Sequence, residues 1–198
     1  RAFDVGVPKV NYVLSASEMH NQSNVRRSTD ESIEDFRRII AERDARGLKG
    51  KVEIGAGIAT SFGCTIQGVV PEKRVVEIAA ILADAGAQEV SLADTVGYGN
   101  PAQIRRLFKS VTHVVGKVPL AAHFHDTRGL GIANVTAAID VGVRRFDASL
   151  AGLGGCPFAP GATGNIDTED TAFLLEELGF DTGIDIEKLI AVRQEVES

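Results

Sequence analysis

One phrase occurs three times along this chain, as Ala2-Phe-Asp-Val-Gly-Val-Pro-Lys-Val10, Leu82-Ala-Asp-Ala-Gly-Ala-Gln-Glu-Val90 and Ala138-Ile-Asp-Val-Gly-Val-Arg-Arg-Phe146. Each copy reads as the last turn of a helix, a glycine just past its end, and the lead into a buried strand. The pattern predicts strands at about Val10 to Leu14, Val52 to Gly55, Glu89 to Ala93, Leu120 to His125 and Arg145 to Ser149. Helices are predicted between them, near Asp30 to Arg46, Glu72 to Ala85, Pro101 to Val115 and Leu130 to Val141, with two more near Thr168 to Leu178 and Ile186 to Glu197. Ser28-Thr-Asp-Glu31 resembles a capping box, and Pro71 and Pro101 suit the first turn of a helix. Strictly alternating strand and helix means βαβ units and a parallel sheet.

Five such strands suit an open doubly wound sheet or part of a closed barrel. The chain opens inside a helix end, and an eight-fold barrel needs about 250 residues, against 198 here. The expectation is therefore an α/β fold, a (β/α)8 TIM barrel of which this chain holds about strands 4 to 8. Residues 1–198 would then be one catalytic domain, truncated on its N-terminal side. On that reading the segment alone folds poorly and is inactive, and the natural protein carries an N-terminal extension.

With 44% hydrophobic residues the chain can bury a real core, and its net charge of −6 disfavours nucleic acid or an anionic membrane as partner. Arg26-Arg27 and Arg105-Arg106 read as solvated pairs. Two cysteines, Cys64 and Cys156, far apart in sequence, suit free thiols in a reducing compartment such as the cytoplasm.

His123 and His125 stand two apart at the C-terminal end of the fourth strand, where parallel sheets gather their chemistry. Residues i and i+2 of a strand share a face, so both imidazoles project together and invite a divalent cation. The plainer alternative is one hydrogen-bonded and one exposed histidine. The stretch Ala151 to Asn165 follows, with five glycines and two prolines in fifteen residues. Such a composition bars helix and strand and suits a loop that closes over a ligand. Cys156 sits among its glycines, placed for reactivity more than for packing, unless the loop is an ordinary surface one. Asn165 at its exit offers either a carbonyl oxygen to a cation or a lead into the next helix.

The combination of Leu92-Ala-Asp-Thr-Val-Gly97, His123-Phe-His-Asp-Thr127 and Gly152-Leu-Gly-Gly-Cys-Pro-Phe-Ala-Pro-Gly-Ala-Thr-Gly-Asn165, with Thr168-Glu-Asp170, resembles 3-hydroxy-3-methylglutaryl-CoA lyase. Ser15-Ala-Ser-Glu18 extends the resemblance to the whole length. That family lies among the metal-dependent TIM-barrel lyases and synthases. The resemblance implies that His123, His125 and Asn165 ligate Mg²⁺ or Mn²⁺, with His123 also moving the proton of the substrate hydroxyl. It makes Cys156 the thiol that closes over the substrate and puts Asp94 against the substrate or the enolate, where the alternative is a loop-capping Asp. Glu169 would stand behind the site or bind substrate. The implied reaction is retro-aldol cleavage of an acyl-CoA to acetyl-CoA and acetoacetate, by a homodimer without membrane or nucleic-acid partners. The family also carries an Arg-Asp pair in a phrase like Arg-Asp-Gly-Leu-Gln on its first strand, a phrase absent from this sequence. Gly63-Cys-Thr-Ile-Gln-Gly68 and Arg128 are further departures. The same chemistry on citramalyl-CoA, a Claisen-type synthase and a non-catalytic partial-barrel binding protein are the alternatives. Those synthases usually follow the His-x-His with Asn-Asp, where this chain has Asp126-Thr127.

Overall fold

A computed structural model describes residues 2–159, 161 and 164–197. Five parallel strands form one sheet in sequence order, β1 (Lys9–Ser15), β2 (Glu53–Ala59), β3 (Glu89–Asp94), β4 (Leu120–Phe124) and β5 (Phe146–Asp147). Seven helices accompany it among the described residues: α1 (Glu18–Val25), α2 (Thr29–Ala45), α3 (Glu72–Asp84), α4 (Pro101–Val115), α5 (Gly131–Asp140), α6 (Thr168–Glu177) and α7 (Ile186–Glu197). Parallel neighbours joined in order through helices are the arrangement of consecutive units of a (β/α) barrel. The chain forms part of such a barrel, and β1 and β5 each have a single strand partner among the described residues.

Local signals account for the helices. Ser28 accepts from Glu31 N while the Glu31 carboxylate accepts from Ser28 N, so the capping box is complete at the start of α2. Asn100 caps α4, Pro101 opens it, and Ile104, Leu107, Phe108, Val111 and Val115 form its buried stripe. Pro71 differs from expectation: it is the cap residue of α3 rather than its first helical residue, with Glu72 taking that place. β5 is shorter than expected, two residues instead of five. Helix α1 has no counterpart in the sequence reading.

The core lies between sheet and helices. Ile54, Ile58, Val90, Leu92, Ala122 and Phe124 from the strands meet Ile78, Leu82, Leu107, Phe108 and Val135 from the helices, all fully buried. The opposite face turns Asn11, Val13, Ser91, Ala93, His123 and Asp147 into a cavity of about 320 Å³. A Cβ at Gly55 would stand 2.3 Å from Asn11 Oδ1, so a larger residue there would turn the Asn11 side chain aside.

Phe124 pins the strand that carries both histidines. It packs edge-on against Phe62 and Phe108 with centroids 6.2 and 6.3 Å away. Phe124→Ala is expected to cost about 3–5 kcal/mol of stability, read as a shift in the urea unfolding midpoint; a change well below about 1 kcal/mol would contradict this packing.

Candidate active site

The alternation of β4 places Phe124 in the core and turns its two neighbours into the cavity. His123 and His125 converge there with their Nε2 atoms 3.4 Å apart. The same-face expectation for this pair therefore holds. His123 is partly open, and its Nδ1 lies 3.4 Å from Oδ2 of Asp147, its register partner on β5. A carboxylate there favours the tautomer with the proton on Nδ1, leaving Nε2 as a lone pair. His125 is buried, and burial, reinforced by the His123 charge, pushes it down to about 4. It is thus neutral at pH 7 and able to act as a ligand.

Backbone pairing brings Asn165 to the histidines from forty residues away. Asp126 N donates to Gly164 O at 3.0 Å and Ile166 N donates to Phe124 O at 3.0 Å, so the loop exit runs antiparallel along the end of β4. His125 and Asn165 are opposite each other in that bridge. The Asn165 amide is fixed by donating from Nδ2 to Leu153 O at 2.7 Å. Its Oδ1, and Nδ1 of His125, are buried without a hydrogen-bond partner among the described residues. A buried polar atom left bare costs about 1–3 kcal/mol, so the bare carbonyl oxygen fits an arrangement built to meet a cation. Among the described residues no group of three or more His, Cys, Asp and Glu could hold a metal; the two imidazoles lie together in the cavity, and Asn165 stands opposite His125 in its bridge without lining that cavity. Two glycines make room for it. A Cβ at Gly154 would stand 2.7 Å from Asn165 Nδ2, and one at Gly152 would stand 2.9 Å from Asn165 O.

Glu169 is buried at the start of α6, and both of its carboxylate oxygens accept from Ala151 N, at 3.1 and 3.2 Å. Ala151 has φ 54°, a left-handed conformation costly for a residue with a Cβ. Glu169 thus latches the start of the glycine loop and does not line the cavity. Pro160, Ala162 and Thr163 of that loop lie outside the described residues.

Asp94 is placed differently from the substrate-contact expectation. Its oxygens accept from Tyr98 N at 2.9 Å and Gly99 N at 3.0 Å, its side chain is 1% exposed, and it does not line the cavity. It caps the turn after β3, and burial raises it to about 6 despite those two bonds. The neighbouring Thr95 reaches the cavity instead.

Cys156 does line the cavity, half-buried and unbridged. Cys64 is buried elsewhere, its sulphur accepting from Ser17 Oγ at 3.2 Å and from the backbone of Ile66 and Gln67. Two residues absent from the sequence reading complete the site. Asp147 stands behind His123, and His20 on α1 faces Cys156 with Nε2 3.6 Å from Sγ. No local pattern marks either; only the fold brings them to the cavity.

The model of the HMGL-like family matches residues 1–196. A hydroxymethylglutaryl-CoA lyase of Bacillus subtilis is 37% identical over 99% of this chain and 64% of its own length. An (R)-citramalyl-CoA lyase of Chloroflexus aurantiacus is 44% identical over 94% of this chain and 57% of its own. Among solved structures, an HMG-CoA lyase from Acinetobacter baumannii in complex with coenzyme A and 3-methylmalate superposes with TM-score 0.91 at 42% identity, over 98% of this chain and 62% of that one. The chain thus spans about three fifths of the length of these relatives. No helix among the described residues is long and apolar enough to cross a membrane. With its five parallel strands, paired histidines and glycine loop, the chain belongs to the HMGL-like family.

Proposed function

We propose that this chain supplies the catalytic face of a divalent-metal lyase that splits 3-hydroxy-3-methylglutaryl-CoA into acetyl-CoA and acetoacetate. The observation that carries this reading is the approach of His123 and His125 in one cavity with the Cys156 thiol, with Asn165, whose buried carbonyl oxygen is bare, opposite His125 in its bridge. His123, His125 and Asn165 would hold Mg²⁺ or Mn²⁺. When bound, the cation supplies Lewis acidity at the substrate hydroxyl. With Nε2 turned to the cation and Nδ1–H to Asp147, His123 keeps no lone pair for a proton, so the Asp147 carboxylate, which lines the same cavity, takes the hydroxyl proton. The C–C bond then breaks, leaving the ketone of acetoacetate and the enolate of the acetyl thioester. Cys156 gives its S–H proton to the enolate carbon. Asp94 and Glu169 act through the turns they hold, Glu169 by keeping the glycine loop in register with Asn165.

The 44% identity to a citramalyl-CoA lyase supports a second reading, in which the same residues cleave that thioester. Both substrates release acetyl-CoA, so one assay separates them. The intact natural protein is incubated with each thioester, with Mn²⁺ and after chelation, and acetyl-CoA is measured. Metal-dependent release from 3-hydroxy-3-methylglutaryl-CoA is the expected result. Release from citramalyl-CoA alone moves the assignment to the second reading, and release from neither overturns both.

A further inference from the structure

The end of β1 and the first turn of α1 are built around one imidazole. His20 is 1% exposed, and Ser15 Oγ lies 2.7 Å from its Nδ1. Around it, Ser17 caps the helix by accepting from His20 N at 3.2 Å, and Asn21 Oδ1 accepts from Ser15 N at 2.8 Å. Asn21 is itself held by donating to Arg27 O, Ser28 O and Ser32 Oγ. The ring therefore has a single fixed pose, with its free nitrogen, Nε2, directed at Cys156 Sγ 3.6 Å away.

The tautomer follows from satisfying every buried hydrogen. Ser15 is fully buried and its hydroxyl has no acceptor other than His20 among the described residues. Were Nδ1 the donor, the hydroxyl hydrogen would be stranded. Ser15 thus donates to Nδ1, and the ring hydrogen sits on Nε2, aimed at the sulphur. Burial lowers the basicity of His20, which keeps the ring neutral in this role.

We propose that His20 is a positioning residue for the Cys156 thiol: its Nε2–H donates to Sγ, leaves the S–H free to point into the cavity, and stabilises the thiolate formed when that proton is delivered. The delivery step rests on the lyase reading; the Ser15–His20–Cys156 chain rests on geometry. In that step the S–H bond breaks and a C–H bond forms at the enolate carbon. The thiolate is then held by a charge-assisted N–H···S⁻ bond, stronger than its neutral counterpart. Solvent returns a proton to sulphur, and the hydroxyl proton taken by Asp147 passes to solvent, so protons balance over the turnover. The other ionisable groups lining the cavity are Glu89, His123, His125 and Asp147, and none hydrogen-bonds to Sγ among the described residues.

The test is the rate of Cys156 alkylation by iodoacetamide against pH, read by peptide mass on the intact natural protein without substrate. Cys64, buried, is the internal control. His20→Leu is expected to slow alkylation at pH 7 about ten-fold and move the profile up by about one pH unit. His20→Gln, which retains an N–H donor, is expected to restore part of that loss. Should His20→Leu fail to fold, Ser15→Ala is read the same way, since it removes the donor that fixes the tautomer, with a slowing of several-fold expected. Profiles of the folded variants that superpose on the parent overturn the proposal. A parent that releases no acetyl-CoA while its thiol still depends on His20 overturns the lyase reading and sustains the pairing.

Discussion

Replacing His125 by alanine is expected to weaken Mn²⁺ binding by more than about 100-fold, since disturbing only the groups behind a ligand already costs 10- to 100-fold. The side chain is buried, neutral at pH 7, and 3.4 Å from its neighbour's Nε2, so it needs no deprotonation and little movement to coordinate. Its removal should leave the fold intact. The strand end is held by backbone bonds from Asp126 N to Gly164 O and from Ile166 N to Phe124 O, which do not involve the imidazole. Calorimetric titration with Mn²⁺, alongside a thermal melt, separates the two effects. Unchanged affinity in a folded His125→Ala variant would remove this residue from the ligand set.

Cys156→Ser should give the largest loss of turnover with the least structural change. Serine keeps the size and the hydrogen bond from His20, but its hydroxyl is a far weaker acid than a thiol. Loss of a positioned general acid typically costs about 10² to 10⁴ in rate. The fall is expected in kcat, with KM and Mn²⁺ affinity near the parent values, because Cys156 is outside the cation set. Cys64→Ser is expected to touch stability more than turnover, since that sulphur accepts bonds that close the turn after β2. Nearly full turnover in Cys156→Ser would deny the thiol any chemical part.

These expectations were reachable from sequence to different degrees. The βα array was legible because α2 to α5 are each followed within two residues by a glycine and α4 carries a buried stripe from Ile104 to Val115. The pairing of His123 with His125 was legible because strand geometry alone puts i and i+2 on one face. Helix α1 was not. Its eight residues, Glu-Met-His-Asn-Gln-Ser-Asn-Val, have no apolar period, and it stands on the Ser17 cap and on Asn21 bonds to Arg27, Ser28 and Ser32. His20 was therefore hidden, and so was its approach to Cys156 from 136 residues away. Asp94 shows the opposite problem. A carboxylate at a strand end reads equally as a reactive group or as a turn cap, and only the two bonds from Tyr98 and Gly99 decide its placement. Glu169 is a similar case, since its service to Ala151 depends on a left-handed residue that no sequence rule assigns to alanine.

Two imidazoles and one amide of this chain are proposed to make a cation site beside a thiol. Anomalous diffraction from a Mn²⁺-soaked crystal of the intact natural protein tests it most directly. One strong peak is expected within bonding distance of Nε2 of His123, a ring nitrogen of His125 and Oδ1 of Asn165, at the C-terminal end of β4. A peak elsewhere, or a cavity that stays free of manganese at saturating concentration while Asn165 Oδ1 meets a protein donor, would contradict it.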